Sequence, residues 1–161
     1  MPEFICNTSP LQYLHQLGLL EILPRLTGGI VIPHTVEIEL AQGRQAGWDL
    51  PDPRSLPWVT IRQPRSTPAL PLASDLGTGE SGVLALALES SGPIVILDDC
   101  LARRVAETLR IPLTGTLGLL IDAKHRGLIP SVAECLDELA RLRFRTSAIT
   151  RQVVLRMAGE A

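Results

Sequence analysis

Aromatic residues make up only 3% of this 161-residue sequence, which leaves little material for a base-stacking nucleic-acid platform. Cysteine is as sparse: Cys6, Cys100 and Cys135 are odd in number and widely separated, with no C-x-x-C pair and no histidine at ligand spacing. That pattern disfavours a disulfide framework and a zinc site and suits a reducing compartment. No apolar run approaches the ~20 residues that cross a bilayer, so no membrane association is expected. The first residues carry no charged leader and no small-residue cleavage site, and a cytoplasmic location is the expectation. A complete phosphate-binding loop is missing too, because the Gly77-Thr78-Gly79 fragment lacks the following Lys and Ser/Thr, and this excludes a nucleoside triphosphatase.

Net charge is also nearly absent, at −2, so no global field points to a polyanion. Its distribution is uneven: residues 1–100 carry five Lys or Arg against eleven Asp or Glu, whereas residues 101–161 carry ten against six. The basic tail contains Arg141, Arg143, Arg145, Arg151 and Arg156, which read as a solvated helix face unless a binding surface gathers them.

What is present is a chain of 45% hydrophobic residues, about the size of one domain with a full core, and a single domain over 1–161 is expected. Ile94-Val95-Ile96-Leu97 runs without alternation into Asp98 and Asp99, the mark of a strand covered on both faces, as in a parallel sheet. Phe4-Ile5-Cys6, Ile30-Val31-Ile32 and Ile111-Pro112-Leu113 read as further strands. Helices are expected from Ser9 as N-cap with Pro10 at the first position, from Thr35, from the Gly79-Glu80-Ser81 stretch, after Asp99, through Leu117–Ala123, from the capping box Ser131–Glu134, and from Thr146 or Ser147. Residues 43–75 form a proline-rich excursion, densest in Gly and Pro from Gly43 to Pro71, with one short strand at Trp58–Ile61. A lid, a partner-docking arm and a tolerated loop are all compatible with it. Strands alternating with helices argue for a three-layer α/β/α sandwich around a parallel sheet.

Parallel strands deliver their C-terminal ends to one edge, where ligands bind in open α/β sheets. The polar residues expected at strand ends and helix starts are Asn7, Glu39, Glu80, Asp98 and Asp99; Glu37, two positions from Glu39, reads as a solvated surface glutamate. Carboxylates ~4 Å apart repel by about 4 kcal/mol at an effective dielectric of 20. Such a cluster calls for protonation or a cation, and hard oxygen ligands without Cys or His select Mg²⁺ or Mn²⁺. These ions commonly act on phosphate esters.

The ordered set Asn7-Thr8-Ser9-Pro10-Leu11, Gly79-Glu80-Ser81, Asp98-Asp99-x-x-Ala102-Arg103-Arg104-Val105-Ala106, Thr114-Gly115-Thr116-Leu117-Gly118 and Gly127-Leu128-Ile129-Pro130 resembles a PIN domain over nearly the whole chain. The resemblance implies a Rossmann-like fold and a Mg²⁺- or Mn²⁺-dependent ribonuclease. Such proteins are often the toxin of a VapC-type toxin–antitoxin pair, cytoplasmic and homodimeric, with RNA and a small antitoxin protein as partners. Carried over by position, the family's acids fall on Asn7, Glu39, Glu80 and Asp99, with Asp98 adjacent as a further metal ligand. Thr8 and Ser9 take the small hydroxyl positions, and Ser9 and Arg103 are placed near nucleic acid. Asn7 departs from the pattern, because the family usually has an aspartate there; a neutral amide oxygen weakens the hold on a cation.

The leading expectation is thus an endoribonuclease using Glu39, Glu80 and Asp99. A PIN-like module that binds RNA or an antitoxin with little catalysis is the alternative that Asn7 favours. An aspartyl-phosphate site at Asp98-Asp99 is disfavoured, since nothing supplies the lysine it needs.

Overall fold

Five short segments, most of them β-branched, build the sheet: β1 (Glu3–Cys6), β2 (Ile30–Pro33), β3 (Val59–Arg62), β4 (Pro93–Ile96) and β5 (Leu113–Thr114). The computed structural model describes residues 2–70 and 73–161, so Pro71 of the excursion lies outside the described residues. All strand pairings are parallel, in the order β3-β2-β1-β4-β5. Ile5 pairs with Val31 on one side and Val95 on the other. The side chains of Ile5, Cys6, Ile32, Val95 and Ile96 are wholly buried, which explains why their strands do not alternate. Because β2 and β3 extend from one side of β1 and β4 and β5 from the other, the winding reverses between β1 and β4. That switch point is where the polar residues following β1 and β4 meet.

Eight α-helices among the described residues cover the sheet: α1 (Thr8–Gln16), α2 (Ile22–Thr27), α3 (His34–Gln45), α4 (Thr78–Glu89), α5 (Cys100–Thr108), α6 (Thr116–His125), α7 (Val132–Arg141) and α8 (Ala148–Met157). α4 lies across β1, β2 and β4 and touches α3 and α5, while α1, α2, α7 and α8 gather around α6. The result is a three-layer α/β/α sandwich, as expected from the sequence. Among the described residues no helix is long and apolar enough to cross a membrane.

Several helix starts follow local chemistry. Ser131 Oγ accepts the Glu134 N–H at 3.2 Å, and Ser147 Oγ accepts the Thr150 N–H at 3.1 Å. Others do not. α1 begins at Thr8, with Asn7 rather than Ser9 in the N-cap position, because the Ser9 hydroxyl donates instead to Asp98 Oδ2 at 2.9 Å. α3 starts at His34 with Pro33, φ −72°, in the N-cap position, two residues before Thr35, whose hydroxyl caps nothing. The sequence reading did not foresee α2, which stops at Gly28; the φ of +79° there is one that glycine adopts without steric cost.

Glu37 is not a solvated surface residue. It is 7% exposed, and its carboxylate accepts from Arg54 Nε and Nη2 and faces His34 Nδ1 at 3.1 Å. Arg54 comes from the excursion, so this contact fastens the excursion to α3. The excursion also supplies the edge strand β3. Beyond β3, the backbone N–H groups of Arg65 and Ser66 donate to Glu89 at the end of α4.

The arginines of the basic tail are mostly exposed but divided among α7, α8 and the link between them. Arg141 pairs with Glu138 and Arg151 with Asp137 at 3.0 Å, while Arg143 and Arg145 lie in the link between α7 and α8.

Candidate functional site

Asn7 continues the β1–β4 ladder by donating its backbone N–H to Ile96 O at 3.1 Å, and this fixes where its side chain starts. The residue is 3% exposed, and its amide oxygen is buried without a hydrogen-bond partner among the described residues. A buried polar atom left without a partner costs about 1–3 kcal/mol, so this oxygen requires an explanation. Its neighbour is Glu39, from the middle of α3. Asn7 Oδ1 and Glu39 Oε1 lie within 2.7 and 2.5 Å of the position a Cβ on Gly79 would take. Residue 79 must be glycine for both oxygens to stand where they do.

Two hydroxyls orient Glu39. Thr8 Oγ1 donates to Oε2 at 2.8 Å, and Thr78 Oγ1 donates to Oε1 at 3.4 Å. Three elements thereby converge on one carboxylate: the start of α1, the middle of α3 and the start of α4. Glu80 sits in the first turn of α4, with its carboxylate folded back over Gly77.

Across the switch point, Asp98 is held by three donors: Thr116 N–H at 2.8 Å, Thr116 Oγ1 at 2.6 Å and Ser9 Oγ at 2.9 Å. It ties the end of β4 to α6 and α1. Its negative charge is felt nearby: burial pushes the Cys6 thiol well above its ordinary value and Asp98 adds to the rise, and the same two causes raise Tyr13 in the same order. Cys6, next to the site, is therefore a neutral thiol. Asp99 caps α5, accepting the Ala102 N–H at 2.9 Å, and is exposed. Arg103 is half-buried and points inward, donating Nη1 to Leu97 O at 2.7 Å, close to Asp98 Oδ1 beside Gly115.

The structure therefore brings Asn7 and Glu39 together at Gly79, with Glu80 next in sequence, and links Ser9 and Asp98 directly. Among the described residues, no three His, Cys, Asp or Glu side chains stand in a group able to hold a metal ion. Asp98 and Asp99 each accept a backbone N–H from the first turn of a helix, and Glu80 lies in another such turn, so helix N-termini offset part of the repulsion among these carboxylates. Thr78 and Thr116 were missed as organising residues; their position at helix starts was the available signal.

The pair at Gly79 suits a hard divalent cation: one oxygen is neutral and orphaned, the other anionic, and neither belongs to Cys or His. No curated protein and no solved structure matches the chain. A family model described as a PIN domain, however, matches residues 3–160, almost the full length, and on that match the chain belongs to the PIN domain family.

Proposed function

We propose that this protein is a Mg²⁺- or Mn²⁺-dependent endoribonuclease and the toxin of a type II toxin–antitoxin pair, acting in the cytoplasm as one PIN domain over residues 1–161. Membership of the PIN family supports nuclease-type function, a divalent metal and a nucleic-acid substrate. The observation that carries the reading is the orphaned Asn7 Oδ1 set against Glu39 Oε1 at the C-terminal edge of β1. Asn7 and Glu39 would hold the cation, with Glu80, Asp98 and Asp99 as further oxygen donors at the same sheet edge. When bound, the cation stabilises charge on the phosphoryl oxygens and makes water a better nucleophile.

The remaining roles belong to the chain itself. Thr8 and Thr78 fix the rotamer of Glu39 by holding both its oxygens. The N-termini of α1, α5 and α6 follow strand ends and that of α4 lies beside Asn7; with the Ala102 and Thr116 N–H groups given to Asp99 and Asp98, the positive ends of α1 and α4 are the ones that favour an anionic phosphate. Arg103 has one nitrogen tied to Leu97 O and leaves its other N–H groups for a substrate phosphate; Ser9 keeps Asp98 in place beside it. The stripe Ile149, Val153 and Met157, exposed at four-residue spacing on α8, offers a surface for a second copy or an antitoxin.

A second reading rests on Asn7 itself. An amide where the family usually has a carboxylate lowers the charge facing a cation, which favours a module that binds RNA or an antitoxin with little catalysis. Mixed RNA incubated with the purified protein plus Mn²⁺, and again plus EDTA, separates the two. Cleavage with Mn²⁺ alone supports the enzyme; intact RNA in both, with retained RNA binding, supports the module.

A further inference from the structure

Beside the acidic edge, α3, α4 and the part of the excursion after β3 enclose a cavity of about 430 Å³. We propose that this cavity is a nucleobase subsite, receiving a base of the RNA whose phosphodiester lies at Glu39; the inference rests on the ribonuclease reading above.

Four observations support it. The volume falls in the range of small-molecule sites, ~300–1,000 Å³. The lining described contains no Lys, Arg, Asp or Glu, and its one histidine, His34, is engaged by Glu37 at 3.1 Å. A phosphate would find no cation here, so the occupant is a neutral group. The walls are aliphatic and prolyl, from Pro64, Pro68, Leu70, Leu76 and Ala85, and they suit a flat ring in a chain poor in aromatics. The lining also holds groups that both donate and accept, among them Gln63, Ser66 and Ser81. Thr35, also on the wall, has a buried hydroxyl without a partner among the described residues. A neutral heterocycle rimmed by donors and acceptors matches an apolar lining that also holds polar groups.

The cavity is also connected to the chemistry. Thr78 lines it and donates to Glu39 Oε1. A base seated there reaches the residue that orients the proposed metal ligand, so occupancy and cleavage position are linked through one side chain. The excursion then acts in substrate selection, a role its composition left open.

The test separates base binding from catalysis. Adenosine, guanosine, cytidine, uridine and, as a control, ribose 5-phosphate are titrated into metal-free protein by NMR, with wild type, Ala85→Leu and Gln63→Ala compared. Ala85→Leu fills the cavity; Gln63→Ala changes an exposed position and leaves the fold intact. The expected result is that at least one nucleoside perturbs the cavity residues and ribose 5-phosphate does not, with Ala85→Leu weakening that nucleoside by about tenfold or more. Gln63→Ala is expected to weaken it severalfold at an unchanged melting temperature. The proposal is overturned if no nucleoside binds, if ribose 5-phosphate binds as well as the nucleosides, or if folded variants bind as wild type does. RNA cleavage without nucleoside binding removes the subsite and spares the ribonuclease; nucleoside binding without cleavage does the reverse.

Discussion

Asn7 Oδ1 and Glu39 Oε1 aim at one point, within 2.7 and 2.5 Å of where a Cβ on Gly79 would stand, and no donor among the described residues satisfies the amide oxygen. Two acceptors facing a common gap are stable together only if something positive or donating completes them.

Gly79→Ala tests that gap by filling it. Alanine gains up to ~1 kcal/mol of helix propensity over glycine, but its Cβ would sit closer to both oxygens than real Cβ contacts allow. Glu39 ends in a flexible carboxylate and is expected to swing away. The variant should keep its melting temperature to within a few degrees while losing the Mn²⁺-induced thermal shift of the wild type. An undiminished Mn²⁺ shift would place the cation elsewhere.

Asn7→Asp restores the acid usual in the family. Without metal, the new carboxylate faces Glu39, and repulsion between the two is expected to lower stability relative to wild type. With Mn²⁺ the order reverses: a tenfold gain in affinity corresponds to about 1.4 kcal/mol, and the metal-induced rise in melting temperature should exceed that of wild type. Calorimetry at fixed Mn²⁺ measures both; equal metal shifts in the two proteins contradict the assignment.

Asp98 and Asp99 should separate cleanly. Asp98→Ala removes the acceptor of a backbone N–H and a hydroxyl on the fully buried Thr116, a loss of about 1–3 kcal/mol. At 161 residues this is a fall of roughly 2–4 °C per kcal/mol. Asn caps a helix as well as Asp does, so Asp99→Asn should leave the melting temperature nearly unchanged. Any loss of RNA cleavage in that folded variant then reports chemistry rather than stability.

These two neighbours also show what the sequence could and could not convey. Ile94 to Leu97 announced a buried parallel strand because unalternated apolar residues have few other uses, and Ser131 announced its helix because the cap and its partner are three residues apart. The strand end at Asp98-Asp99 was equally legible as an acidic edge. Which carboxylate is tied to α1 was not: the two aspartates are adjacent in sequence, and it is Asp98 that reaches Ser9 while Asp99 caps α5. The same holds for Ser9 and Glu37, whose roles are set by Asp98 and Arg54, distant in sequence. Local rules decide where elements begin; tertiary partners decide where their polar groups point.

Glu160 supplies a pH dependence away from the site. Its carboxylate accepts the Val132 N–H at 2.6 Å and the Ala133 N–H at 3.0 Å at the start of α7, and Lys124 Nζ lies 3.2 Å away. The Val132 hydrogen bond foremost, then Ala133 and Lys124, outweigh burial and hold it below the usual carboxylate range. A depressed folded value stabilises above the unfolded value of about 4.3 and is lost as pH falls through the folded one. Glu160→Gln should therefore melt ~2–4 °C below wild type at pH 7, for a helix-terminus contribution of about 1 kcal/mol. The difference should shrink as the pH is taken below the usual carboxylate range. A gap that persists unchanged in strong acid contradicts an electrostatic origin.

The most direct measurement is cleavage of a mixed RNA as a function of Mn²⁺ concentration by wild type and by Glu39→Gln, each checked for an intact fold. The expected result is Mn²⁺-dependent cleavage by wild type, abolished by EDTA, and loss of that cleavage in Glu39→Gln at every Mn²⁺ concentration. Wild-type protein that leaves RNA intact throughout, or a Glu39→Gln variant that cleaves as wild type does, would contradict a metal-dependent ribonuclease centred on Glu39.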